Sequence, residues 1–583
     1  MGSTAAPFTT RPELHGTFGM VASTHWLASA AGMRLLEAGG NAFDAAAAAG
    51  FVLQVVEPHL NGPGGDLPIV LYSAERDDVL VVCGQGPSPA AATTGRFREL
   101  GLDLVPGTGL LAACVPGAVD AWLRMLLELG TASLRDVLEP AIGYARDGHP
   151  ILPRVAESIA AIEQLFREHW PTSAETWLPA PAPWSLFHRP ALAETFARVL
   201  AEAEAGSGDR DGQIQAARDA WYRGFVAEAI GAFCEQTSVP DSSGRAHHGL
   251  LTSDDLAAFE ATFEAPASLS YEGWTVFKTG PWGQGPVLLQ QLALLDGFDL
   301  RSMGQGSAEF VHTVLECSKL AFADREAWYG DPAFTDVPLD RLLSPAYANE
   351  RRALVTDTAS AELVPGLEGA RLPDTASNTV LLARGVGEPT RGDTCHVDVV
   401  DRFGNVVSAT PSGGWLQSSP VVPELGFPLG TRAQMFWLEE GLPNSLEPRK
   451  RPRTTLSPSL ARRDGSLLAF GTPGGDQQDQ WSLVFFLNQA LFEPNLQAAI
   501  DLPMFHSNHF PSSFYPREAK PRHVELEARF PSAVVDELRA RGHDVDVTGE
   551  WSLGRVSAVS RDAGGTLRAA ANPRGMQGYA VGR

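Results

Sequence analysis

The chain reads as an α+β protein, on three observations. A long middle region, 110–330, is mostly helical in pattern. Strand-like stretches lie on either side of it and dominate after residue 394. The counts of 58 glycines and 43 prolines mark many turns and connections between these elements. With 583 residues the chain exceeds one ordinary core, so either roughly two to four domains or one large layered fold is expected.

Taken in order, residues 1–20 read as an irregular arm, and GMVAS (19–23) as a short apolar strand. A helix is predicted over 26–38, ended by Gly39 and Gly40. Asn41 is placed to cap a second helix running to about Val56, with Asp44 in a capping-box position. That helix is apolar nearly all round, so it should be buried. The loop PHLNGPGGD (58–66) follows, then paired strands at 69–73 and 79–83. Helices are predicted around Val119–Leu129 and Ala308–Tyr329, with a charged surface loop at 202–212. The stretch 363–389 reads as an exposed, flexible connection. From residue 394 the pattern becomes strict alternation. TCHVDVVDRFGNVVSAT sets Val397 and Val399 on one face, Asp398 and Val400 on the other, and turns at DRFGN, which describes a β-hairpin. LLAFGTPGGD (467–476) is a strand entering a glycine turn, and 481–492 a helix.

Composition narrows the function. Hydrophobic residues at 44% and charged residues at 20% exclude a disordered or fibrous chain. A net charge of −24 argues against nucleic acid and anionic membranes, since nothing would offset phosphate repulsion. Five scattered cysteines without a CxxC spacing speak against a disulfide framework or zinc site and fit a reducing compartment. The first residues show no cationic start followed by an apolar stretch, and no run approaches the length of a membrane span. A cytoplasmic location is the expectation. His25, His59, His312 and His396 lack HExxH-type spacing, so a metal-dependent hydrolase is disfavoured and no cofactor is expected.

Thr394 carries the chemical argument. A threonine hydroxyl is a poor nucleophile without a base nearby. If the bond between Asp393 and Thr394 is cut, the new α-amino group, with an ordinary pKa of about 7.7–8.0, supplies that base. Successive glycines in TPGGD (472–476) suit an oxyanion hole, because adjacent N–H groups converge on one point. Each feature alone would read as an ordinary strand threonine or a plain turn. GPGGD (62–66) lacks the Lys-Ser/Thr of a phosphate loop and is not read as a nucleotide site.

Seven motifs together resemble the γ-glutamyltransferase family of N-terminal-nucleophile hydrolases: 19–49, NGPGGD (61–66), CVPGAVDAW (114–122), 315–332, GDTCHVDVVDRFGNVVSAT (392–410), RPRTTLSPSL (451–460) and GTPGGD (471–476). The resemblance runs to a tail at Asn572-Pro573-Arg574. It implies a four-layer αββα sandwich built from one self-cleaved precursor. The large subunit would be 1–393, mostly helical, and the small subunit 394–583. Those two subunits would be each other's partner, and a homodimer of the two-piece protomer is one assembly it allows. Carried over by position, Thr394 matches the nucleophile, Ser412 a hydroxyl that bonds it, Gly474 and Gly475 the oxyanion glycines, and Thr454 and Thr455 a Ser-Ser pair lining the acyl pocket. Departures bear on substrate. Gln85 stands where members that accept γ-glutamyl groups carry a carboxylate-clamping Arg, Met435 where they hold the amine with an acid, and Gly414 in place of an Asn. The segments 412–420, 430–440 and 472–478 look like the branch of oxamate amidohydrolases. That implies a small acid-amide substrate such as oxamate, its carboxylate taken by Arg432 and its acyl group released to water. A γ-glutamyl transferase or glutathione hydrolase, and a cephalosporin-acylase-like amidase, are the alternatives. An inactive member serving only as a binding protein is disfavoured by the intact Thr394, Ser412, Gly474 and Gly475 set.

Overall fold

The computed structural model describes residues 8–374 and 393–583. Two seven-stranded sheets form its centre. One runs Tyr579–Gly582, Gly19–Ser23, Val397–Asp401, Val406–Ala409, Leu67–Ser73, Asp78–Gly84, Thr262–Glu264. The other runs Leu14–Gly16, Leu567–Ala571, Ser557–Arg561, Ser466–Gly471, Ser459–Arg463, Trp274–Lys278, Ala267–Tyr271. Every pairing in both is antiparallel. Between the sheets lies a core that includes Met20, Val70, Val81, Val400, Leu460, Ala469 and Val559. The outer face of the first sheet buries the helices Trp26–Glu37 and Ala42–Val56, and that of the second buries Gly285–Leu295, Ala308–Trp328 and Gln478–Leu491. Three apolar layers between four layers of elements make the αββα sandwich implied above.

Local sequence explains the elements that hold the site. Asn41 accepts the N–H groups of Phe43 and Asp44 at 3.0 and 3.1 Å, and Asp44 returns the bond to Asn41 N at 2.9 Å. Every residue of Ala42–Val56 is buried. Gly50 is needed there, because a Cβ would lie 2.2 Å from the Trp122 ring. In the hairpin, Val397 and Val399 face the outer helices and Val400 the space between the sheets, as the alternation predicts. Its turn is tied down by Asp401, which accepts Phe403 N at 2.8 Å and, from the buried helix, Ala42 N at 2.8 Å.

Two expectations need correction. Residues 202–212 are not a loop. The helix Pro190–Gly206 runs through the buried Ala203, and a new one, Arg210–Tyr222, starts under an Asp209 cap that accepts Gly212 N at 2.9 Å. Good helix formers outweigh the charge pattern there. The N-terminal arm is not wholly irregular either, since Leu14–Gly16 pairs with Leu567–Ala571. The described part of the connection, 363–374, forms no helix or strand, and Gly366 N is held by Asp324 at 2.7 Å. Residues 375–392, with Gly392 of the cleavage motif, lie outside the described residues.

Candidate active site

Thr394 begins the hairpin's first strand, bridged to Ser412 at the far end of its return. It is 2% exposed. Its Oγ1 donates to Ser412 Oγ at 3.3 Å, and Ser412 Oγ donates to the carbonyl of Asp393 at 2.9 Å. Two hydroxyls and the Asp393 carbonyl thus form one chain of hydrogen bonds. Gln478 Nε2 approaches Thr394 Oγ1 at 3.4 Å. The loop 61–66 buttresses Ser412: Asp66 N donates to Ser412 O at 2.8 Å, and Ser412 N donates to Asp66 O at 3.0 Å. A Cβ on Gly65 would lie 2.0 Å from Ser412 O, so only glycine permits the approach.

Gly474 and Gly475 line a cavity of about 740 Å³ that also reaches Asp393, Arg154 and Arg555. Both have positive φ, 129° and 57°. A Cβ on Gly474 would meet the Trp481 ring at 2.2 Å. The turn is fixed from behind by Asp476, which accepts Ser513 Oγ at 2.6 Å and Ser513 N at 2.8 Å. Trp481, Phe510, Phe514 and Trp551 give this cavity an aromatic wall.

Asp393, Gly474 and Gly475 are the site candidates that line this cavity; Thr394 and Ser412 are buried beside Asp393, and the other candidates are buried off its wall. Thr454 N donates to Trp282 O at 2.9 Å, and Thr455 Oγ1 has no partner among the described residues. Gln85 Nε2 reaches Gly86 O at 3.4 Å. Met435 packs with Trp415 and Phe514. Arg432 Nε lies 2.9 Å from both oxygens of Asp66 and the guanidinium stacks on Trp415 at 5.1 Å, while Nη1 and Nη2 are buried without a partner among the described residues. Its pairing with Asp66 places it behind Ser412, and it is not among the residues that line the cavity. Gly414 has φ 62°, and a Cβ would lie 3.0 Å from Gly64 C, so a side chain there would be strained.

Neighbours that sequence reading missed come from distant segments. Asp393 pairs with Arg555, from 162 residues away, and its Oδ2 lies 3.6 Å from Arg154. Below Thr394, Glu57 accepts Thr24 Oγ1 at 2.6 Å and Cys395 Sγ at 3.0 Å. Burial pushes the Glu57 carboxyl up. Burial, reinforced by Glu57, also pushes the Cys395 thiol well above its usual range, so this neighbour of Thr394 is no competing thiolate. His396, buried, bonds Thr410 Oγ1 and Asp398 Oδ1, both at 2.9 Å, and is a packing residue. His312, Glu316 and His543 bring ligand-type atoms within 4.8 Å of one another, a grouping that sequence spacing hides. These groups bond to one another and to Lys319: His312 Nδ1 lies 2.8 Å from His543 Nε2, and Lys319 Nζ 2.6 Å from Glu316.

Comparison with known proteins agrees with this geometry. The gamma-glutamyltranspeptidase family profile matches residues 28–582. The glutathione hydrolase-like YwrD proenzyme of Bacillus subtilis is 32% identical, over 97% of this chain and 99% of its own. The oxamate amidohydrolase proenzyme of Klebsiella pneumoniae is 32% identical over 97% and 98%, and the acylase ACY 1 proenzyme of Pseudomonas sp. 32% over 95% and 92%. Among solved structures, LmbA2991HD superposes with a TM-score of 0.93 at 56% identity over 99% and 100% of the two chains. The cephalosporin acylase from Bacillus halodurans does so at 0.82 and 27%, over 100% and 98%. The chain is an enzyme of the N-terminal-nucleophile class and belongs to the gamma-glutamyltranspeptidase family.

Proposed function

We propose that this protein is a self-cleaving amidohydrolase that uses Thr394 as its N-terminal nucleophile and acts on a small acid-amide such as oxamate. The hydrogen-bond chain from Thr394 through Ser412 to the Asp393 carbonyl carries the reading. In the precursor, Thr394 Oγ1 adds to the Asp393 carbonyl carbon. Its proton passes to Ser412 Oγ, whose own proton goes to the carbonyl oxygen. Collapse breaks the Asp393–Thr394 C–N bond, returns a proton to the amine and leaves an ester, which water hydrolyses. The product is a large piece ending at Asp393 and a small piece beginning at Thr394. The freed α-amino group then takes the Oγ1 proton when an external amide is attacked, and the oxyanion forms against the Gly474-Gly475 turn. The amine leaves, and water releases the acyl group.

The acid-amide reading rests on Gln85 and Met435, since neither supplies a charge for an amino-acid head. One observation favours a second reading. A 740 Å³ cavity with an aromatic wall is large for oxamate and suits an acylase with a bulky acyl or amine group.

Two measurements test this. Denaturing electrophoresis with N-terminal sequencing should find a small piece starting TCHVDV, whereas Thr394→Ala should give one uncut, inactive chain. An active uncut chain would refute the mechanism. In steady-state assays oxamate should be hydrolysed faster than glutathione or a γ-glutamyl anilide; the reverse order removes the substrate reading and leaves the mechanism standing.

A further inference from the structure

Asp393 does two things at once. Its carbonyl is the one attacked, and its side-chain carboxylate is held by arginines that line the cavity. One oxygen accepts Thr394 N at 2.9 Å, and the other pairs with Arg555 and lies 3.6 Å from Arg154 Nη2. Arg555 comes from the turn after Gly554, where its own N–H is fixed to Thr472 Oγ1 at 2.9 Å, two residues before Gly474. The Arg555 backbone is therefore anchored to the same segment as the oxyanion turn. Its side chain is 12% exposed, and Nη1 is buried without a partner among the described residues. Burial opposes its charge, and Asp393 more than offsets that, holding Arg555 above the usual arginine range. Arg154 is pulled below that range, first by repulsion from Arg555 and then by burial. Two like charges beside one cavity need an anion between them.

We propose that Asp393 occupies, in the precursor, the seat of the substrate's free carboxylate, and that self-cleavage vacates it, so that Arg555 with Arg154 selects amides whose acyl part carries a carboxylate. This rests on the amidohydrolase reading above and gives to Arg555, which lines the cavity, the role expected of Arg432, which does not. Scission itself empties the seat. Water adds hydroxyl to Asp393 and hydrogen to the Thr394 amine, and the end of the large piece is then no longer tethered to the hairpin. Glu57 remains near the arginines, but burial pushes it towards its neutral form, so it replaces the lost charge poorly. The seat also favours a length. Asp393 spans from attacked carbonyl to carboxylate with the same carbon skeleton as succinamate, which points to short dicarboxylic acid monoamides.

The test uses the self-processed protein and the isosteric pair succinamate and succinamide, one anionic and one neutral. Succinamate should show a kcat/KM at least tenfold higher. Arg154→Gln and Arg555→Lys should each reduce that preference several-fold, mostly through KM for succinamate. Arg154 is half exposed, so its variant should fold and cut even if the Arg555 variant does not. Calorimetry gives a readout free of turnover: succinate should bind the processed wild type and bind at least tenfold more weakly to Arg154→Gln. Equal turnover of both amides, or succinate binding unchanged in Arg154→Gln, overturns the anion seat and leaves the Thr394 mechanism intact. Succinate binding lost in Arg154→Gln, with no turnover of any amide, upholds the seat and removes the amidohydrolase reading.

Discussion

In the proposed mechanism Ser412 serves the reaction twice, as acceptor for the Thr394 proton and as donor to the Asp393 carbonyl. Ser412→Ala removes that donor, and a lost hydrogen bond of about 1–3 kcal/mol corresponds to roughly 5- to 150-fold in rate. Self-cleavage should slow by that factor, read as accumulation of uncut chain over time. Cleavage at the wild-type rate would place the proton relay elsewhere. Gly474 faces a different demand. At φ 129° an L-residue is strained, and its Cβ would strike Trp481. Gly474→Ala should therefore displace the turn and cost kcat about 100-fold or more, the typical effect of losing an oxyanion donor, while KM changes less. A selective rise in KM would assign the turn to ground-state binding instead. These residues were legible because short motifs carry them. Arg555, Arg154 and Gln478 were not, since nothing local in the sequence ties them to Thr394; only the folded chain brings them there.

Single elements were legible where their signals are short-range. The hairpin at 397–409 declares itself by alternation, and Ala42–Val56 by its cap and apolar surface. The strand order was not legible, because it joins the chain's ends: Leu14 meets Ala569, and Met20 meets Gly582. One cap yields a test. His25 closes the N-terminus of Trp26–Glu37 by accepting Leu27 N through Nδ1 at 3.1 Å, and its Nε2 is buried without a partner among the described residues. Burial, with His149 nearby, lowers its pKa to about 3. The folded protein thus binds a proton less readily than the unfolded chain, whose His titrates near 6.5. The stability that follows is fully present above about 6.5 and is lost as pH falls towards about 3. At pH 5 the loss is about 2 kcal/mol. His25→Asn keeps a capping oxygen and does not titrate. Its stability relative to wild type, from denaturant melts, should improve by about that amount between pH 7 and pH 5. A difference independent of pH would mean that His25 titrates in the fold as it does in the unfolded chain.

Across the whole molecule, the proposed cut between Asp393 and Thr394 separates nothing that the sheets hold together. Val397–Asp401 from the small piece sits between Gly19–Ser23 of the large piece and its own hairpin partner, which in turn pairs with Leu67–Ser73 of the large piece. In the other sheet Trp274–Lys278 pairs with Ser459–Arg463, and Leu14–Gly16 with Leu567–Ala571. Neither piece has either seven-stranded sheet or any of the three large apolar layers complete, so neither should fold alone, and separation should coincide with unfolding. The processed protein should elute as one species in native size exclusion and melt in one transition, although a denaturing gel shows two bands. Because unfolding then releases two chains, its midpoint should rise with protein concentration, whereas that of uncut Thr394→Ala should not. A tenfold change in concentration is worth about 1.4 kcal/mol. For a chain this long, with about 2.1 cal/mol/K of unfolding entropy per residue, that is roughly 1 °C per tenfold. Calorimetry over a hundredfold range should resolve it. If the pieces separate in native buffer before either melts, they are independent domains, and the shared-sheet account of their association is wrong.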